Sequence, residues 1–372
     1  MHDVALTGTG VFTPEHIITN DELVLAFNAY VDAFNADNAA AIEAGKVEAK
    51  AHSSSDFIVA ASGIEQRYVI DKAGILDPAI MHPIFPRRDD AAPSLMAEMA
   101  QDATNKALVQ AGIDGSEIDL VLCAASNMER AYPAIAVEIQ QLIGAGGMAF
   151  DMNVACSSAT FGIQTAADMI RAGSVRKALI VNPEICSAHL EWRDRDCHFI
   201  FGDVATATVL ERKEDATGDH FDILSTRCAT QFSNNIRNNN GYLRRSHGPL
   251  EDRRDMQFMQ NGRKVFKEVL PLVSAHIQEH MADDGVAATD LKRLWLHQAN
   301  KTMNDFIGKK VLGRKPEPME QPNILQDYAN TSSAGSIIAF SKYSNDLDSG
   351  DLGLICSFGA GYSVGSVLLK RA

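Results

Sequence analysis

The chain has 372 residues, 46% of them hydrophobic and 22% charged, with a formal net charge of −14. That length exceeds one ordinary core and points to two domains or two fused halves, while the composition is that of a soluble globular protein. No run approaches the roughly 18 uninterrupted apolar residues of a membrane span, the first residues lack the pattern of a signal peptide, and the acidic balance disfavours nucleic acid and anionic membranes.

Taken in chain order, short runs rich in Val, Ile and Leu alternate with helical patterns. A strand is predicted over 4–11, followed by an Ala-rich, helix-prone segment over 26–56 and an irregular, Pro-containing segment over 71–93. Both read as insertions of the kind that serve as lids or contact surfaces. Helices are predicted over 94–111, 134–143 and 157–173, with strands over 119–126, 148–155, 177–185 and 206–212. Beyond these come strands over 221–227, 293–299 and 352–359, and helices over 256–282, 302–312 and 333–348. This alternation means an α/β protein with a largely buried sheet. The two halves look alike, since each carries a small-residue segment that opens a helix and each ends in an apolar strand.

Six cysteines, Cys123, Cys156, Cys186, Cys197, Cys228 and Cys356, are too scattered for a disulfide framework and read as the reduced thiols of a cytoplasmic protein. No C-x-x-C pair exists, so no metal site is expected. Residues 244–315 hold fourteen Lys or Arg against nine Asp or Glu, a local charge of +5. That segment is either a solvated helix surface or the face that meets an anionic partner.

Four stretches could carry chemistry. Cys156 in "ACSSATFG" sits at the first turn of a predicted buried helix, where free N–H groups and the helix dipole favour a thiolate. It is either a nucleophile or a buried structural thiol. His297 in "LWLHQAN" is delivered at a strand end, where α/β sheets place ligands. Asn330 in "ANTSSAGS" could be an N-cap. The glycines of "SFGAGYSVG" permit close backbone approach but miss the G-x-G-x-x-G spacing of dinucleotide binding.

Taken together and in this order, Cys156, His297, Asn330 and the "FGAGYSVGSVLL" tail resemble a thiolase-fold condensing enzyme, and most closely a β-ketoacyl-acyl carrier protein synthase III. "FIFGDVATATVL" and "SGIEQRYV" match further family segments. The resemblance implies a thiolase-like α/β fold: two duplicated βαβαβ halves, 1–213 and 214–372, forming a five-layered αβαβα core. Chain-elongating synthases use two histidines, so Asn330 at the second position is the pattern of the initiating enzymes. Degradative thiolases use a second cysteine near the C-terminus, but Cys356 precedes the glycine loop rather than lying in it.

The roles implied by the resemblance are these. Cys156 takes an acyl group from acyl-CoA, and His297 and Asn330 hold the enolate formed when malonyl-acyl carrier protein loses carbon dioxide. The backbone N–H groups of Cys156 and Ala360 form the oxyanion hole, with Ala360 standing where the family has glycine. Phe57, Arg195, Arg263 and Phe266 contact coenzyme A or its tunnel. Phe57 replaces a tryptophan, Arg263 an asparagine and Ala61 an arginine, which suggests an altered donor or altered affinity; together with the two insertions they suggest a donor longer than acetyl. Tyr132 crosses a homodimer interface to close the partner's acyl pocket. Lys267, Lys301, Lys309 and Lys310 dock the acidic carrier protein, with Lys301 compensating for Thr302 in place of a family arginine. No cofactor is needed beyond the coenzyme A thioester substrate. The rival reading is a related condensing enzyme of specialised metabolism with a different extender, such as a second fatty acyl-CoA.

Overall fold

The computed structural model describes residues 2–241, 246 and 253–372. Arg244 and Arg245 of the basic segment lie outside the described residues. The strands are β1 (Val4–Phe12), β2 (His16–Thr19), β3 (Gln66–Val69), β4 (Leu120–Ala124), β5 (Met148–Met152), β6 (Lys177–Ile185), β7 (Asp203–Arg212), β8 (Phe221–Ser233), β9 (Ile236–Arg237), β10 (Met259–Gln260), β11 (Leu291–Leu296), β12 (Leu352–Gly359) and β13 (Gly361–Arg371). The helices are α1 (Asn20–Asp37), α2 (Ala39–Glu43), α3 (Ser55–Ser62), α4 (Ala73–Leu76), α5 (Leu95–Ala111), α6 (Ile135–Ile143), α7 (Ser158–Arg171), α8 (Gly262–Asp283), α9 (Lys301–Leu312), α10 (Leu325–Tyr328) and α11 (Gly335–Lys342).

One hydrogen-bonded ladder runs β11-β12-β13-β8-β1-β7-β6-β4-β5. It is joined at its centre by only two residue pairs, Ala5 with Asp222 and Leu6 with Phe221. Outward from that join the two sides repeat each other. In the first half β1 and β6 both run antiparallel to β7, and β4 runs parallel to β6. In the second, β8 and β12 both run antiparallel to β13, and β11 runs parallel to β12. The halves differ at the edge. Strand β5 extends the first half, whereas in the second the Leu294 N–H donates to the Glu320 carbonyl outside any strand.

The cores show why the ladder stacks. Apolar residues of α5 and α6 cover one face of the first half, and those of α8 and α9 cover one face of the second. Between the halves, α7 and α11 pack against strands of both. Helix, sheet, helix pair, sheet and helix make five layers, the arrangement the resemblance implies. Helix α7 tolerates this place because Ala159, Gly162, Ile163 and Ala166 leave apolar or small surface on both sides.

The 26–56 segment is less separate than its sequence suggests. Helix α1 starts at Asn20, behind a Thr19–Glu22 capping box. Its Leu23, Phe27 and Val31 form one buried stripe against Ile58, Trp192 and Phe199. The predicted helix over 256–282 begins later, at Gly262, because Met259 and Gln260 pair with β9 and Asn261 caps α8. No helix among the described residues is long and apolar enough to cross a membrane.

Candidate active site

Cys156 lies in a single 3-10 turn, Ala155–Ser157, that feeds directly into α7. Ala155 has φ 48°, the left-handed region that alanine rarely adopts. The neighbouring sheet end accommodates this turn only because residue 359 is glycine: a Cβ there would lie 2.6 Å from the Cys156 Cβ and 3.1 Å from its Sγ. Backbone N–H groups of Cys156 itself and of Ala360 both act on the sulfur. Ala360 is not among the residues with positive φ, and the unusual angle falls on Gly361 at φ 134°. Alanine at 360 therefore costs nothing in backbone strain.

The sulfur is a thiol at rest. Burial pushes Cys156 up to about 11, the Ser332 hydroxyl at 3.5 Å from Sγ pulls against this, and the Glu184 charge adds to it. The thiolate expected from the helix mouth is thus corrected. The N–H groups of Cys156 and Ala360 pull the thiol down, but desolvation of a charged sulfur outweighs them.

His297 follows β11 directly. Its N–H donates to the Cys356 carbonyl at 2.7 Å, and its carbonyl accepts from the Asn304 side chain at 3.0 Å. The ring stands edge-on to Phe358 with centroids 5.2 Å apart. Burial lowers its pKa to about 4 against a smaller upward pull from the Ser332 backbone, so the imidazole is neutral near pH 7. Asn330 forms an isolated bridge with Phe201. Its Oδ1 accepts the Ser332 N–H at 2.9 Å, which leaves the amide Nδ2 without a partner among the described residues. Cys156, His297 and Asn330 line one cavity of about 420 Å³ with Phe57, Ala61, Arg263, Phe266 and Phe358.

The remaining positions divide. Arg195 does not flank an open slot opposite Phe57, because its guanidinium lies 4.1 Å from the ring centroid. That is direct contact, and no planar base fits between them in this arrangement. Tyr132 is 85% exposed and does not line the cavity of its own chain. Lys267 on α8 and Lys309 and Lys310 on α9 are exposed, whereas Lys301 pairs with Asp305 one helical turn on. Cys356 is buried in the outer core with its thiol pushed up by burial. Among the described residues no cluster of His, Cys, Asp and Glu could hold a metal.

Sequence reasoning missed Ser332 and Glu184. The hydroxyl of Ser332 is one of several in a small-residue run, and nothing in the pattern singles it out. Glu184 had a visible signal, an acidic residue inside the apolar run "ALIVNPEIC".

Residues 150–231 match the family profile 3-Oxoacyl-[acyl-carrier-protein (ACP)] synthase III, and residues 281–371 match the corresponding C-terminal profile. A beta-ketodecanoyl-[acyl-carrier-protein] synthase of Pseudomonas aeruginosa is 54% identical over 93% of this chain and 99% of its own length. The chain belongs to the 3-oxoacyl-[acyl-carrier-protein] synthase III family. A beta-ketoacyl-[acyl-carrier-protein] synthase III of Acidiphilium cryptum is 30% identical over the full length of both chains. The crystal structure of the synthase III from Aquifex aeolicus superposes with a TM-score of 0.76 at 25% identity, covering 99% of each chain. As a member of this family the protein is a condensing acyltransferase with a thiolase fold.

Proposed function

We propose that the Cys156 sulfur attacks the carbonyl of an acyl-CoA, so that a thioester to Cys156 forms, the bond to coenzyme A breaks and the thiol proton leaves with the coenzyme A sulfur. Malonyl-acyl carrier protein then enters the emptied cavity and loses carbon dioxide. The electron pair of the broken C–C bond becomes an enolate, whose oxygen is held by the neutral His297 ring and the free Asn330 Nδ2. Each such donor contributes about 3 kcal/mol to a transition state that develops oxygen charge. The enolate carbon attacks the acyl carbonyl while the N–H groups of Cys156 and Ala360 hold the new oxyanion. The Cys156 sulfur leaves as a thiolate and takes a proton from solvent, and 3-oxoacyl-acyl carrier protein is released.

The observation that carries this reading is the convergence of Cys156, His297 and Asn330 from three elements on one cavity. Phe57, Arg263 and Phe266 at its mouth suit the coenzyme A arm, and Arg195 must swing off Phe57 before a base can stack there. Exposed Lys309 and Lys310 on α9, and exposed Lys267 on α8, suit an acidic carrier protein. The half-exposed edge strand β5 and the projecting Tyr132 suit a homodimer, and six free cysteines suit a cytoplasmic enzyme. The two functional halves divide at 213–214.

The donor is an eight-carbon acyl group. The relative from P. aeruginosa is named for a ten-carbon product, and condensation with loss of carbon dioxide adds two carbons. Intact-mass measurement with acyl-CoAs from two to twelve carbons tests this. A Cys156 adduct that peaks at eight carbons is expected, and a preference for acetyl overturns the chain length. Product formed from acyl-CoAs alone, without carrier protein, overturns the extender.

A further inference from the structure

Glu184 stands near the end of β6, 1% exposed, and the chemistry above does not use it. Its carboxylate gathers donors from two directions. Oε1 accepts the Ser126 N–H at 3.0 Å, the Ser333 N–H at 3.2 Å and the Ser333 hydroxyl. Oε2 accepts the Ser126 hydroxyl at 2.5 Å and faces the Cys186 thiol at 3.8 Å. No cation pairs with it among the described residues. A buried carboxylate without a counter-ion is costly, and neutral donors offset that cost only in part. Burial raises its pKa and the serine donors pull it back down.

What those donors belong to gives the group its meaning. Ser333 follows Ser332, which has φ 49°, a strained angle for serine. The Ser332 N–H is the group that holds Asn330 Oδ1, and the Ser332 hydroxyl is the one on the Cys156 sulfur. Both contacts depend on the turn staying in that strained shape. Its neighbour Ser333 is tied through backbone and side chain to a carboxylate on a different strand. The same carboxylate is the charged group that pushes the Cys156 thiol upward.

We propose that Glu184 is a positioning residue for the condensation: by gripping Ser333 it holds the strained Ser332 turn, and so aims the Asn330 amide at the enolate and the Ser332 hydroxyl at the Cys156 sulfur. It touches no reacting atom. Its charge also adds to the burial that raises the Cys156 thiol. The inference rests on the roles given above to Cys156 and Asn330.

The test uses Glu184→Gln, which keeps size and removes charge, and Ser333→Ala, which keeps the backbone bond and removes the hydroxyl. Two quantities are read on the full-length protein. One is the pH midpoint of iodoacetamide alkylation at Cys156. The other is the single-turnover rate at which pre-acylated enzyme consumes malonyl-acyl carrier protein. Glu184→Gln is expected to lower the midpoint by half a unit or more and to slow condensation ten- to a hundredfold. Ser333→Ala is expected to slow condensation several-fold with a smaller change in midpoint. A folded Glu184→Gln protein whose condensation rate is unchanged within twofold overturns the proposal, whatever its midpoint. Should that variant not fold by circular dichroism, an unchanged condensation rate in Ser333→Ala overturns it. Failure of the unsubstituted protein to acylate Cys156 would overturn the proposed function instead.

Discussion

The turn before α7 and the turn before α11 are built alike. Each opens on an asparagine, Asn153 or Asn330, whose Oδ1 accepts the N–H two residues on at 2.9 Å. Each then places a non-glycine residue at positive φ, Ala155 at 48° and Ser332 at 49°, and runs through a 3-10 turn into a buried helix. By this register Cys156 corresponds to Ser333. The difference lies in what each meets from the opposite half. Cys156 faces Gly359, which has no side chain, so the sulfur opens on the cavity. Ser333 faces Glu184, which takes up its hydroxyl. The two asparagines diverge in the same way: Nδ2 of Asn153 donates to the Ser126 carbonyl at 2.7 Å, while that of Asn330 has no partner among the described residues. A duplicated backbone therefore supplies two equivalent positions, and the facing residue decides which side chain opens on the cavity and which is tied down.

The largest effect should come from swapping roles at the paired positions. Cys156→Ala should lower turnover by about 10⁴-fold or more and abolish the acyl adduct in intact-mass spectra. Ser333→Ala should still acylate. A surviving adduct in Cys156→Ala would break the comparison outright. The asparagine pair gives the next contrast. Asn330→Ala should slow condensation by about 10²–10³-fold while acylation persists, which is read by following acyl-enzyme and product separately. Asn153→Ala should cost about 1 kcal/mol of stability, read as a lower urea midpoint, and leave the chemistry largely intact.

Gly359→Ala probes the facing residue. The added Cβ meets Cys156 at 2.6 Å, and such overpacking costs about 1–3 kcal/mol. Both the melting temperature and the acylation rate should fall, and unchanged acylation would show that the turn yields freely.

A broader effect comes from pH. Burial lowers His189, His198, His276 and His297 to about 4. Their contribution to stability is full above about 6.5 and is lost as pH falls from there toward 4, because the unfolded chain takes up protons first. Asp203, raised to about 6 mainly by burial, opposes them over part of that window. His280 is lowered as well, whereas burial also raises Asp151 and Glu184; with five groups against three, the urea midpoint should fall between pH 6.5 and 4, and a rise would contradict this. The smallest effect belongs to the surface. Lys309→Glu with Lys310→Glu should raise the KM for carrier protein several-fold in a salt-dependent way and leave acylation by acyl-CoA unchanged.

Much of this was legible in the chain. Strand β1 and helices α5, α6 and α9 fall within a residue or so of their predicted limits, because apolar spacing and caps such as Ser94 and Asn300 are local signals. Helices α8 and α11 came out shorter, since the sequence does not mark where β10 pairs or where α11 ends at Tyr343. Strand β8 runs to Ser233 because β13 offers it a long antiparallel partner.

The sequence by itself determined that the chain is a duplicated α/β protein and that Cys156, His297 and Asn330 sit at element ends, because hydrophobic period and small-residue runs are written locally. Only the tertiary structure decided the protonation state of the sulfur, the contact of Arg195 with Phe57 and the union of Glu184 with Ser333. Those depend on how much water is excluded and on which atoms arrive from the other half. Neither quantity is a property of any short stretch of chain.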